Sequence, residues 1–232
     1  MLWKYGVWQL LSSIGYLVSS ILYLVSSILY IMDEQTFYNT IDKPGTAEYK
    51  DRGSRFIAYA DPIASIHDFK RRMEEIKKEH PKATHHCFAY RIGIDKNNFR
   101  TNDDGEPSGT AGKQILGQID SKGLTDILIV VVRYFGGTLL GVPGLINAYK
   151  TSASLVIQVT AIVQKPIEVN FIIQFDYTLI NTVMTIIKQL NCSVIGQEMQ
   201  LFCRFTVGVP LNKKEEFLFR LKDINNIEVG KQ

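Results

Sequence analysis

The chain is 232 residues long, and its contents of 46% hydrophobic and 21% charged residues are ordinary for a globular protein. Its net charge of +3 excludes a protein whose binding to nucleic acid depends on a large overall positive charge. The three cysteines, Cys87, Cys192 and Cys203, are odd in number, widely spaced and set in apolar runs. They predict reduced thiols in the core of a cytoplasmic protein rather than a disulfide framework or a zinc site.

Residues 1–31 form an apolar segment with a seven-residue repeat, in which IGYLVSS is followed directly by ILYLVSS. Lys4 is the only charged residue before Asp33, so the segment is long and apolar enough to cross a bilayer as a helix. A tandem repeat directly before Met32 also suits translated upstream sequence, and a buried or partner-binding helix is a third interpretation. We favour upstream sequence, and we expect membrane anchoring only if this segment is made and retained.

Periodicity and capping residues place several elements in the first half. Ser65 and Asp68 predict the capping box of a helix that Pro81 ends. Strands are predicted at residues 84–94 and 126–132, and the second run is so aliphatic that it indicates a strand buried on both faces.

Two further helices are predicted downstream. Thr110 is predicted to cap the first, which reaches about Gly123, and Pro143 is predicted to lie in the first turn of the second.

The second half has its own pattern after Lys165-Pro166, a pair that is typical of a linker. A strand with strict alternation covers residues 167–175, and an amphipathic helix follows. Two more strands, a helix that Asn212 is predicted to cap, and a short last strand complete the order β-α-β-β-α-β. This order is the ferredoxin-like pattern.

Four motifs carry a resemblance to a known family. They are HHCFAYR at residues 85–91, DGEPSGTAGK at 104–113, VVVRYFGG at 130–137 and GLINAYKTS at 144–152. On these motifs the chain, from about Met32 to its end, resembles the YigZ/IMPACT family.

The resemblance implies an α+β fold with two domains. Residues 32–162 correspond to the family's N-terminal domain, a sandwich of the ribosomal protein S5 domain 2-like type. Residues 163–232 correspond to the C-terminal ferredoxin-like domain of the bacterial two-domain branch, which is similar to a domain of translocating elongation factors. Family members begin near Met32, which favours the upstream-sequence interpretation of residues 1–31.

The chain departs from the family in two places. The glycine-rich stretch of the family is LGVPGL at residues 140–145 here, and Pro143 removes a backbone donor that could contact an anion. The recognition domain of the RWD type that eukaryotic members carry is absent from this sequence, so binding to that branch's translational-control partner is not expected.

The motifs predict a groove with two walls, the glycine-rich turn at residues 104–113 and the turn that follows Arg133. Free N–H groups at a helix start attract phosphate, Lys113 and Arg133 add positive charge, and Tyr134 and Phe135 could stack on a base. The residues predicted to line this binding groove are Arg55, His85, Asp104, Glu106, Ser108, Gly109, Thr110, Lys113, Arg133, Tyr134, Gly136 and Gly137. The alternative is structural: Arg133 pairs with Asp104 or Glu106, and Tyr134 and Phe135 lie in the core.

Three functions remain open from the sequence. The resemblance implies a binding protein that is associated with RNA or the ribosome and modulates translation. The alternatives are a protein-interaction module and a protein, enzymatic or not, that binds a small phosphorylated ligand. Ser108 lacks the strand context of a nucleophile elbow, and the acidic residues near His85 lack typical zinc-ligand spacing. We therefore expect no catalytic residues, no metal and no cofactor.

Overall fold

The computed structural model describes residues 35–231, so the predictions for residues 1–31 lie outside the described part. Between residues 35 and 231, the chain is a mixed α/β structure with three sheets. The strands are β1 (Phe37–Ile41), β2 (Gly45–Asp51), β3 (Ser54–Pro62), β4 (His85–Ile92), β5 (Asn98–Asn102), β6 (Ile127–Tyr134), β7 (Ile162–Pro166), β8 (Glu168–Asp176), β9 (Ser193–Met199), β10 (Phe202–Pro210) and β11 (Ile227–Lys231). The helices are α1 (Ile66–Glu79), α2 (Gly112–Ser121), α3 (Gly141–Val159), α4 (Ile180–Gln189) and α5 (Lys214–Lys222).

The first sheet has five antiparallel strands in the order β2-β3-β6-β4-β5. Its central strand β6 is buried on both faces, as its aliphatic sequence predicts. One face packs on α2 and α3 through residues such as Ile115 and Tyr149, and the other packs on α1 through Phe69 and Ile76. The aliphatic run in β6 is therefore the middle layer of a three-layer arrangement.

Helix α1 begins as its sequence predicts. The Ser65 hydroxyl accepts a 3.2 Å hydrogen bond from the Asp68 N–H, and it donates a 2.7 Å bond to the Asp68 carboxylate. The predicted helix start at Asn212 is wrong: the residue before α5 is Lys213, and no side chain caps this helix. A 3-10 turn at Leu211–Lys213 leads directly into α5 and takes the place of a side-chain cap.

The second half contains a four-stranded antiparallel sheet in the order β11-β8-β10-β9. Helices α4 and α5 cover one face of it and enclose a separate core that includes Phe171, Phe205, Val183 and Phe217. The order of elements agrees with the predicted β-α-β-β-α-β pattern. The division into domains at residues 162 and 163 stays a prediction.

The interpretation of Lys165-Pro166 as a linker is wrong. Both residues belong to β7, which pairs with β1 in a two-stranded sheet that joins Phe37 to Pro166. Proline has no N–H to donate, and it is tolerated in β7 because both strands of a two-stranded sheet are edge strands. In the described part of the chain, no helix is long and apolar enough to cross a membrane.

Candidate functional site

The candidate site lies at one end of the five-stranded sheet, where β3 and β4 begin and β5 and β6 end. These four strand ends meet because β6 runs antiparallel to both β3 and β4, and β5 runs antiparallel to β4. The loop at residues 103–111 follows β5, and the loop at residues 135–140 follows β6. The structure thus brings the two predicted walls together.

The carboxylate of Asp103 lies at the start of α2, although the residue itself belongs to the loop that precedes this helix. Its carboxylate accepts hydrogen bonds from the backbone N–H groups of Gly109, Ala111 and Gly112, at 2.8, 3.0 and 2.8 Å. The N–H groups of Ala111 and Gly112 are donors that a helix start leaves without partners inside the helix, and a carboxylate there also interacts favourably with the helix dipole. The prediction that the N–H groups are free to bind phosphate is therefore wrong, because an internal anion already takes them.

Thr110 is not the helix cap that the sequence predicts. Its hydroxyl donates a 2.7 Å hydrogen bond to the Pro107 carbonyl, while Ala111 occupies the cap position without a side-chain bond. Thr110 instead closes the turn that precedes α2.

Glu106 and Arg133 form a buried ion pair, which confirms the structural alternative for Arg133. Arg133 Nη1 donates to Glu106 Oε1 at 2.6 Å, and both side chains are almost completely buried. Tyr149 donates its hydroxyl to the same carboxylate oxygen at 2.8 Å, and the Cys87 thiol donates to the Tyr149 oxygen at 3.3 Å. Burial raises the pKa of both Tyr149 and Cys87, so both stay protonated near neutral pH.

Arg133 is held from two further sides. Its Nη2 lies 3.4 Å from the Ser54 hydroxyl, and its guanidinium lies 5.5 Å from the centroid of the Phe56 ring. Its Nε is buried without a hydrogen-bond partner in the described part of the chain. The guanidinium of Arg133 is thus a structural charge of the site rather than an exposed one.

Two histidines of β4 bind the loop from opposite faces of the strand. His85 Nδ1 donates to the Asp104 carbonyl at 2.7 Å, and its Nε2 lies 3.8 Å from Glu106 Oε1. The His86 backbone N–H donates to the Asp104 carboxylate at 2.7 Å, and its ring Nε2 donates to the His80 carbonyl at 3.2 Å. Burial lowers the pKa of His86. These hydrogen bonds hold the loop against β4.

The turn before β3 and the loop after β6 touch through two glycines. A Cβ atom at Gly136 would lie 1.8 Å from the carbonyl carbon of Gly53, so only glycine allows this approach. The Gly136 N–H also lies 3.3 Å from the Ser54 hydroxyl oxygen, to which it donates. This contact fixes the loop at residues 135–140 against the sheet.

The remaining predicted residues lie outside this buried network. Tyr134 is half-buried and its hydroxyl bonds to His80 Nδ1 at 2.9 Å, whereas Arg55 pairs with Glu48 at 2.7 Å. Ser108, Lys113 and Gly137 are exposed. In the described part of the chain, no hydrogen bond joins Ser108 to His85, and no group of three acidic, histidine or cysteine side chains is arranged to hold a metal ion.

The exposed surface over the network combines cationic and apolar side chains. Phe135 is 47% exposed, which contradicts its placement in the core, and Leu139 is 82% exposed. Arg52, Lys82 and Lys113 are exposed at the same end of the sheet, and none has a salt bridge among residues 35–231. We call these five residues the loop face.

Sequence reasoning missed two residues that organise the site. Asp103 stands beside Asp104, yet only the tertiary structure shows which carboxylate reaches the helix start. Tyr149 lies in the motif at residues 144–152, whereas its polar partner Glu106 lies on a loop that is distant in the sequence. An unusual concentration of acidic residues before a glycine-rich helix start was the available signal for Asp103.

Comparison with known proteins places the chain in a family. The model of the Impact N-terminal domain matches residues 52–157. The IMPACT family member YigZ of Escherichia coli is 33% identical over 184 residues, which cover 78% of this chain and 90% of YigZ. An IMPACT family member of Haemophilus influenzae is 33% identical over 175 residues, with 73% and 84% covered. The chain belongs to the IMPACT family.

A solved structure has a fold similar to that of this chain. The crystal structure of a hypothetical protein has a TM-score of 0.70 and 30% sequence identity, and the match covers 85% of this chain and 98% of that one. The similarity therefore includes both halves of the described chain.

Proposed function

We propose that this protein regulates translation by binding RNA on the ribosome through the loop face. Membership of the IMPACT family supports a role in translation, because the resemblance implies domains similar to those of ribosomal protein S5 and of elongation factors. We assign the first half to the S5 domain 2-like type. The strand order β11-β8-β10-β9, with both helices on one face, supports a ferredoxin-like assignment for the second half.

One observation carries the proposal for RNA: three cations without a salt bridge and an exposed aromatic ring lie at the same end of the five-stranded sheet. Arg52, Lys82 and Lys113 can each approach a phosphate, and Phe135 offers a face on which an unpaired base can stack. Single-stranded RNA is bound in this way by many proteins. A local cluster of this kind suffices even though the net charge of the chain is small.

The buried network explains how the loop face keeps its shape. Asp103 and the Glu106–Arg133 pair fix the loops internally, so they are not themselves contacts for the phosphate backbone. A loop that is already ordered loses less conformational entropy when it binds. We therefore infer that the network preorganises the surface, and that the exposed cations make the contacts.

The test compares two triple charge reversals in the full chain. Arg52, Lys82 and Lys113 are each replaced by Glu in the first variant, and the matched control replaces Lys70, Lys77 and Lys78, which are exposed on α1. Co-sedimentation with ribosomes and anisotropy of a labelled single-stranded RNA are measured across a salt series. The first variant should lose most of its binding, and the salt dependence should become shallower by roughly one unit of slope per lost contact.

Equal loss in both triple variants would mean that only net charge matters, and this would contradict the proposal. Salt-independent binding would do so as well. Phe135→Ala is a second probe without a charge change, and it should weaken RNA binding by about 1–3 kcal/mol.

The apolar part of the loop face favours a second candidate, a protein-interaction surface. Leu139 is exposed and has no ring to stack on a base, which suits contact with a protein. Binding to ribosomes that survives nuclease treatment but is lost in Leu139→Asp would favour this candidate over RNA.

A further inference from the structure

The four-stranded sheet is covered on one face only. Helices α4 and α5 pack on the side chains of Phe171, Phe175 and Phe205. In the described part of the chain, no element packs on the opposite face, which we call the open sheet face. Its exposed side chains are Asn170, Gln174, Glu198, Phe202, Arg204 and Glu228.

The register of the strands makes part of this face flat. Gly230, Ile172, Thr206 and Gly196 lie next to one another across the four strands. A Cβ atom at Gly196 or Gly230 would meet no atom closer than 3.9 Å, so nothing in the described chain fills the space above them. Glycine within a strand allows another chain to approach the sheet closely.

Two adjoining cavities lie at the end of this sheet where β8 ends and β10 and β11 begin. The first, of about 320 Å³, is lined by Gln174, Phe175, Asp176, Phe202, Asn226, Ile227 and Glu228. The second shares Asp176 and Asn226 with the first and adds Asp223. Among the described lining residues of both cavities there is no lysine or arginine, although three are acidic.

The carboxylates at these cavities have no ion-pair partner in the described part of the chain. Asp176 Oδ1 accepts bonds from the Thr178 N–H and hydroxyl, at 2.8 and 2.7 Å, and these bonds lower the pKa of Asp176 and keep it ionised. Within residues 35–231, Asp176, Asp223 and Glu228 form no salt bridge. The cavities therefore combine negative charge with the Phe202 ring, which is 52% exposed.

We propose that the open sheet face binds a lysine- or arginine-rich segment of a partner protein. One cationic side chain enters the cavity between Phe202, Asp176 and Glu228, where it bonds to carboxylate oxygens and lies against an aromatic ring. A second cationic side chain reaches Asp223 in the adjoining cavity. The backbone of the segment crosses the flat part of the sheet. An RNA is disfavoured here because its phosphates would be repelled by the same carboxylates.

The experiment measures binding of a fluorescein-labelled hexa-arginine peptide to the full chain by fluorescence anisotropy. Glu228→Lys should weaken binding by about tenfold, and Phe202→Ala by about threefold or more. Glu74→Lys is the matched control, because Glu74 is exposed on α1 and the substitution changes the net charge equally. The control should bind the peptide as the unsubstituted protein does.

Three outcomes would overturn the proposal. Glu228→Lys and Phe202→Ala could both bind with unchanged affinity, or Glu74→Lys could lose as much affinity as Glu228→Lys. The third is that a labelled oligo-uridylate binds to the protein and that Phe202→Ala weakens this RNA binding instead of the binding of the peptide. If Glu228→Lys unfolds, Glu228→Gln repeats the comparison with an expected loss of about threefold.

Discussion

Arg133 Nη1 donates a 2.6 Å hydrogen bond to Glu106 Oε1, and the side chains are only 6% and 3% exposed. The pair joins the end of β6 to a loop that precedes α2, and Tyr149 of α3 bonds to the same oxygen. Three segments that are distant in the sequence therefore depend on one carboxylate. The charge of Arg133 serves the fold at this point, whereas the surface cations of the loop face are exposed to solvent.

Removal of the Glu106 carboxylate should destabilise the protein strongly. Glu106→Ala leaves the Arg133 guanidinium buried without a counter-charge, and we expect a loss of about 3–5 kcal/mol in the free energy of unfolding. Denaturant unfolding followed by circular dichroism measures this. Glu106→Ala combined with Arg133→Met should recover part of the loss, because it removes the isolated charge. A single variant as stable as the unsubstituted protein would show that the pair is not buried in solution.

Asp103→Ala should loosen the start of α2. The substitution removes the acceptor of three backbone N–H groups, and we expect a loss of about 1–3 kcal/mol. Hydrogen exchange should accelerate at Gly109, Ala111 and Gly112 before it changes in β6. Asp95→Ala, at an exposed turn, is the control. Unchanged exchange at the three amides would contradict the assigned role.

Two glycine substitutions should have opposite effects on stability. Gly136→Ala forces a Cβ atom into the backbone of Gly53, so it should lower the thermal midpoint and weaken any binding by the loop face. Gly117→Ala lies in α2 with no atom within 4 Å of the new Cβ, and better helix propensity should add about 0.5–1 kcal/mol. The same direction for both variants would be inconsistent with the structure.

The contribution of His86 to the free energy of unfolding should fall as the pH is lowered. Burial holds its pKa below the ordinary value of 6.5, so the folded state binds its proton less readily than the unfolded state does. The contribution of His86 is therefore complete above about pH 6.5 and is lost as the pH falls towards the folded pKa. His86→Gln should lose less stability between about pH 7.5 and 5.5 than the unsubstituted protein. An equal loss in both would count against this role.

The thiols should react slowly in the native state. Cys87 and Cys203 are buried, and burial with the nearby Glu168 carboxylate raises the pKa of half-buried Cys192 to about 11. We expect Cys192 to be labelled first by a thiol reagent, far more slowly than an unfolded thiol. In Cys192→Ser that first phase should be missing. Labelling of Cys87 before Cys192 would argue against the buried network around Tyr149.

Much of the fold was predictable where the signal is local. The Ser65–Asp68 capping box, the aliphatic run of β6, the first-turn position of Pro143 and the alternation of β8 all depend on neighbouring residues. Two predictions that depend on distant partners were wrong. Lys165-Pro166 lies in a strand because β1 pairs with it, and Thr110 is not a cap because Asp103 takes the helix donors.

The sequence by itself determined the family, the order of elements in the second half and the segments that form the candidate site. Spacing, periodicity and motif composition are properties of the chain alone, so they can be read without a structure. Only the tertiary structure decided which charges are used internally. Glu106 meets Arg133 across 27 positions of sequence and Asp103 turns back to the start of α2, and no local pattern determines such pairings. Burial then gives these charges a structural role, and it leaves Arg52, Lys82 and Lys113 exposed to solvent.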